Sequence, residues 1–355
     1  MNQIIMWIMA VGAVLGGVDR IAGNRFGLGK RFEEGFTLLG PTALSMSGII
    51  CLTPLLSLVP IWNFLGLDAG LLAGILAIDM GGYQLAGELS ASQEMVRYAG
   101  LVIAATLGCT ITFTIPVGMG MLKSGDRLFF SRGMLIGTGT LPVTMIVGGL
   151  LSGLSFLQIV LQSLPVLLFC FLLMFGIWRF PEQTVRAFTV FADVIRLLTT
   201  IGLIAGAFCY MTGFSLLPDL APLEDAMAVV SSIGIVLLGS LPTAELLQRV
   251  LKKPLSFIGR KTGMNDSSAA GLLMGIVSPV PAITMMEKMD ERGKIVNAAF
   301  LVSAASTIAA HMGFTFGTDP DFVVPLLVAK LAGGIAAVCA ALFFTKKSAY
   351  SKTRK

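Results

Sequence analysis

The sequence has 355 residues, 55% of them apolar and only 13% charged, with a mean hydropathy of +0.87. Ordinary soluble domains carry about 25% charged residues, so a water-soluble fold is excluded. The formal net charge of +5 means little as a sum, because the charges cluster between apolar runs and form no nucleic-acid-binding pattern.

Runs near the length that spans about 30 Å of hydrocarbon fall at eleven places: 3–18, 36–59, 66–87, 97–121, 128–151, 156–178, 188–212, 226–248, 266–286, 294–316 and 322–345. The first, MNQIIMWIMAVGAVLGGV, has no Lys or Arg before it and meets basic residues only from Arg20, so it reads as an uncleaved span. If all eleven cross, Lys and Arg divide almost evenly between the two sides, against the positive-inside bias. If the third and ninth segments enter and return, the cytoplasmic loops and tail hold 23 Lys/Arg and only Arg97 remains outside, Lys330 being inside a span.

Segment three carries Asp79-Met80-Gly81-Gly82 at its middle and segment nine carries Ser278-Pro279-Val280-Pro281. Both motifs break helices, and an arm of about ten residues reaches only about 15 Å. The two halves also echo each other: Gly66–Gly74 (GLDAGLLAG) resembles Gly263–Gly271 (GMNDSSAAG), and Pro116-Val117-Gly118 falls opposite His311-Met312-Gly313. The expectation is an all-α integral membrane protein of about nine transmembrane helices plus two re-entrant helical hairpins in inverted-topology repeats. Its plan is a first span (1–23), repeat 1 (24–152), connecting spans (153–223), repeat 2 (224–346) and a cytoplasmic basic tail (347–355). Such a plan places a solute site at the midplane, where discontinuous helices meet.

Asp79, at the first tip, needs a cationic partner at that depth; it reads as a carboxylate for an ammonium or coupling cation, or as a cap for its own broken helix. Gly81 and Gly82 allow close backbone approach, and Tyr83 offers a ring or a hydroxyl. Thr110, Thr112 and Thr114 precede Pro116; their hydroxyls face substrate or bond their own helix. Asn265 and Asp266 read as the N-cap of the second hairpin's first arm, whose tip is Ser278 and Pro279. His311, the one histidine, is a candidate proton or hydroxyl partner. Lys330 lies mid-span and demands an acidic or carbonyl partner; Glu245 is an acid near the cytoplasmic end of segment eight. Cys51, Cys109, Cys170, Cys209 and Cys339 lie far apart inside apolar runs and read as small apolar residues. ATP-binding and hydrolase motifs are absent from the sequence, so neither an enzyme nor a cofactor or metal site is expected.

The ordered strings RFEEGFTLLGPTAL, AIDMGGYQLAGEL, FTIPVG, MMEKMDERGKIVNAAFLVSAA, HMGF and AKLAGG resemble the bacterial ethanolamine permeases of the ethanolamine-utilisation system over most of the chain. The resemblance implies uptake of ethanolamine, a hydroxyl-bearing ammonium ion, across the bacterial cytoplasmic membrane, with Asp79 on the ammonium and the threonines or His311 on the hydroxyl. The chain departs from that pattern at Ser278-Pro279, where the family has two asparagines, and at Ala310, where it has an acid. The reading is therefore a secondary transporter or facilitator of ethanolamine or a similar small amine, with the N-terminus outside and the C-terminus cytoplasmic. Proton coupling, sodium coupling, passive movement and a homo-oligomer all stay open. The alternatives are a symporter of another small polar metabolite and a non-transporting receptor or scaffold of the same fold.

Overall fold

The computed structural model describes residues 2–57, 67–76 and 82–345. Every regular element among them is helical. Helix α1 (Asn2–Ile21) turns sharply into α2 (Leu28–Thr37) and α3 (Leu39–Ser57). The buried Asp19 carboxylate fixes this turn by accepting N–H bonds from Phe26, Leu28 and Gly29 at 2.8–2.9 Å. Segment three is two short helices, α4 (Gly70–Ile75) and α5 (Gly82–Leu89); Asp79 and Gly81 lie outside the described residues.

Segment four runs from α6 (Gln93–Arg97) through π-helical turns at Tyr98–Gly108 and Thr110–Thr114 into α7 (Ile115–Met121). Pro116 cannot donate to the turn before it and crowds that turn's carbonyl, so the ladder there has reason to widen. The long helices α8 (Ser124–Ser152), α9 (Phe156–Arg179), α10 (Pro181–Thr212) and α11 (Leu223–Thr262) follow. Segment nine is α12 (Asp266–Val277) and α13 (Pro279–Thr284), broken at Ser278. Segment ten is broken as well, into α14 (Glu291–Ala304) and α15 (Ala310–Thr318), and α16 (Val323–Phe344) closes the fold. Among the described residues, eight helical stretches are long and apolar enough to cross a bilayer; the interrupted segment ten and the two short-armed segments are not among them. The protein is an all-α integral membrane protein.

Ion pairs decide how the segments run. A chain crossing at all eleven would put Lys123 and Glu287, Asp126 and Lys294, and Arg97 and Asp319 at opposite ends, yet each is a salt bridge. With these three pairs the two flanks of segment nine lie at one end of the molecule. Arg31 bonds Glu245, and the Asp68 N–H, at the start of segment three, bonds Gln162 Oε1 at the start of segment six.

The ends of both segments are also tied directly. The Asp68 carboxylate accepts from Gly70 N, capping α4, and from Ala91 N beyond α5, at 2.8 and 2.9 Å. Asn265 caps α12 by accepting from Ser268 N, as the sequence predicts, and donates through Nδ2 to Lys288 O beyond α13 at 3.0 Å. The same 197 residues separate Asp68 from Asn265 and Ala91 from Lys288. Asp290 adds a second tie, accepting from Asn265 N, Ser268 Oγ and Gly293 N.

Two groups of helices result. Helices α1, α2, α3, α10 and α11 pack on one another, and segments three, four, five, nine, ten and eleven form the other group, flanked by α9, with α12 and α15 also packed on α11 and α5 on α3.

Candidate functional site

A cavity of about 1270 Å³ lies between the two groups. Its mouth is charged, with Arg31 and Glu34 from α2, Asp193 and Arg196 from α10, and Glu245 and Gln248 from α11. Its inner end is small and mildly polar. Cys109 and Thr112 come from segment four, Met274 and Ser278 from segment nine, and Ser306 and Phe314 from segment ten.

The break in segment ten builds that inner end. Ser306 takes a left-handed φ of 55°, and the turn around it bonds outward: Ser306 N donates to Gly275 O at 3.0 Å and Ile308 N to Ile276 O at 3.1 Å. Two rungs thus join the interrupted helix to the last turn of α12, just before the Ser278 tip. Backbone groups freed at membrane depth persist only where protein or a wet cavity satisfies them; here another broken helix does so.

The sequence-predicted residues fall into three sets. Ser278, Pro279, Thr112 and Glu245 line the cavity. Thr112 Oγ1 also bonds Gly108 O at 2.9 Å within its own helix. Glu245 lies at the mouth, held by Arg31 and Arg249 and not by Lys330. The second set stands behind the wall. Tyr83 meets the Phe314 ring edge-on at 6.3 Å and accepts a bond from Gln93 Nε2. Gly82 is buried with no room for a side chain, because a Cβ there would lie 2.5 Å from Ala73 O. The third set is a buried polar cluster. Lys330, fully buried, donates to Ala105 O in the π-helical stretch at 2.6 Å, a carbonyl where the sequence left an acidic or a carbonyl partner open. Thr110 Oγ1 donates to Val302 O, linking segment four to segment ten at 3.2 Å. Among the described residues, Thr114 is buried with no hydrogen-bond partner for its hydroxyl, and His311 is buried beside Lys330 and against the Ala305 backbone.

Sequence reasoning missed Ser306, Phe314 and Met274. The break at 305–309 contains no Gly or Pro, so no composition signal marks it, and the bonds to Gly275 and Ile276 that replace its helical ladder are non-local. No group of three metal-ligating His, Cys, Asp or Glu side chains occurs among the described residues.

No solved structure matches the chain. It is 39% identical over 353 residues to the "Probable ethanolamine permease EutH" of Listeria monocytogenes, covering 98% of this chain and 95% of that protein. It is 34% identical over 398 residues to the protein of the same name in Escherichia coli K12, covering 99% and 98%. The "Uncharacterized protein YxeR" of Bacillus subtilis is 34% identical over 351 residues, covering 97% and 95%. A family model described as "Ethanolamine utilisation protein, EutH" matches residues 1–344, and with relatives 34–39% identical over nearly the full length of both chains the chain belongs to the EutH family.

Proposed function

We propose that this protein is a secondary transporter or facilitator that takes up ethanolamine, or a similar small amine, across the bacterial cytoplasmic membrane. Segments three and nine are re-entrant hairpins within two inverted repeats, 24–152 and 224–346. The N-terminus is outside, and the cavity mouth faces the cytoplasm. The observation that carries this reading is the cavity ending where the Ser278 tip, the interrupted segment ten and the π-helical segment four converge. Discontinuous helices meeting at one point are the usual setting of a transport site.

The chemistry suits a small hydroxyl-bearing cation. Ser278 and Thr112 supply hydroxyls at the inner end, no aromatic box is needed for so small a solute, and Asp79 supplies the carboxylate that an ammonium requires at low dielectric. Names printed for the relatives in Listeria and Escherichia coli point to the same solute.

Uptake of labelled ethanolamine at low concentration and low pH, where little free base exists to diffuse, should depend on the protein. Ser278→Ala combined with Thr112→Val should raise KM about tenfold, equivalent to about 1.4 kcal/mol of lost hydrogen bonding, with little change in Vmax. Unchanged kinetics in that variant would remove the inner end of this cavity from the substrate path.

A further inference from the structure

Two ion pairs at opposite ends of the molecule are built on one plan. At one end Arg97 forks onto Asp319, Nε to Oδ2 at 2.6 Å and Nη2 to Oδ1 at 3.2 Å, with its guanidinium 5.7 Å from the Phe322 ring. At the other, Lys294 Nζ bonds Asp126 Oδ1 at 2.5 Å and lies 5.7 Å from the Phe129 ring. The cations stand 197 residues apart, the spacing that relates the two hairpin ties, and in each case the ring follows the acid by three residues. Both pairs are shielded: Asp319, Lys294 and Asp126 side chains are 8%, 12% and 14% exposed.

Each pair starts from the first turn of an interrupted helix. Arg97 in segment four meets Asp319, which closes segment ten; Lys294 in segment ten meets Asp126 in the first turn of α8, just after segment four. All four residues belong to the group that carries the hairpins, and none lines the cavity. The two pairs are closed at the same time, while the cavity is open at one end. Alternating gates would have one pair open here.

We infer that Arg97–Asp319 and Lys294–Asp126 are paired clamps, so that these four are positioning residues that lock the two halves of the substrate-bearing group into one rigid unit. That unit moves past α2, α3, α10 and α11 with both clamps shut, and the solute crosses with it. The inference rests on the transport reading given above.

The test uses a cysteine-free background, ethanolamine uptake in proteoliposomes and a short bis-methanethiosulfonate linker. Arg97→Cys with Asp319→Cys, and separately Lys294→Cys with Asp126→Cys, should lose about tenfold in uptake when unbridged and recover to within about twofold of the background when bridged. Gln248→Cys with Thr284→Cys, both lining the cavity, should behave oppositely, bridging abolishing whatever uptake the unbridged pair supports. Bridging at 97–319 or 294–126 that abolishes uptake would make that pair a moving gate and overturn the inference, as would unbridged variants as active as the background. Should the cysteine pairs fail to fold, the swap Arg97→Asp with Asp319→Arg should restore uptake that either single change removes; no restoration counts against the clamp. Amide exchange separates this inference from the transport reading because it needs no substrate. Loss of either pair should speed exchange in both 70–75 and 266–277, and a purely local effect would contradict the clamp even if ethanolamine proves not to be the solute.

Discussion

The two helix groups that face each other across the cavity differ in kind. In segment four, 78% of the apolar stretch is buried inside protein, against 17% in α1 and in α10. The framing helices α1, α3, α10 and α11 are long and largely continuous, and α1 and α10 turn most of their apolar surface toward lipid. The other group is broken at Ser278 and at 305–309, and it holds the buried Lys330, His311, Thr110 and Thr114. Continuous helices satisfy their backbone internally and can face lipid; interrupted ones need partners and are therefore sheathed. The framing group supplies the charged mouth of the cavity, and the other supplies its broken helices and the buried polar groups behind them.

The largest way to break that comparison is Asp79→Asn. Loss of a carboxylate that faces a desolvated ammonium costs about 2–5 kcal/mol, so ethanolamine uptake should fall about 30-fold or more with protein yield unchanged. Uptake at the wild-type level would take the charge role away from the first tip. Lys330→Met comes next. Removing a buried ammonium in favour of an apolar chain of similar length is neutral or stabilising in many proteins, so the melting temperature should hold or rise while uptake drops about tenfold. Full activity with raised stability would make Lys330 a structural tie alone.

Gly48→Ala tests the framing group. A Cβ at Gly48 would lie 1.6 Å from Thr199 O, where α3 and α10 meet backbone to backbone, and overpacking of this kind costs about 1–3 kcal/mol. Thermal stability should fall, with uptake per folded molecule intact; Gly40→Ala, with open space at the same helix's start, should cost nothing measurable. The smallest expected effect is that of Tyr83→Phe, which removes one hydroxyl bonded to Gln93 and keeps the ring against Phe314. Uptake should change less than about threefold, since a net hydrogen bond is worth about 1 kcal/mol.

Much of this architecture was legible in the sequence because charge distribution and helix breakers are local signals. The 23-to-1 division of basic residues led to the expectation that segments three and nine return, and the structure bonds the two flanks of each, Asp68 to Ala91 and Asn265 to Lys288. Ser278, Pro279 and Thr112 reach the cavity because prolines and threonines announce disrupted turns. Glu245 went to the mouth because its partners, Arg31 and Arg249, include one 214 residues away, which no spacing rule reveals. The break at 305–309 left no mark at all, being held by bonds from a different segment. The paired clamps were readable in principle: Arg97 and Lys294 share the hairpin spacing, and each acid precedes a phenylalanine by three residues.

The most direct measurement is counterflow in proteoliposomes loaded with unlabelled ethanolamine and diluted into labelled ethanolamine at low pH. The account predicts transient, saturable accumulation of label that small amines compete away and carboxylates do not. Entry that rises linearly with concentration at the rate of protein-free liposomes, or that carboxylates inhibit and amines do not, would contradict it.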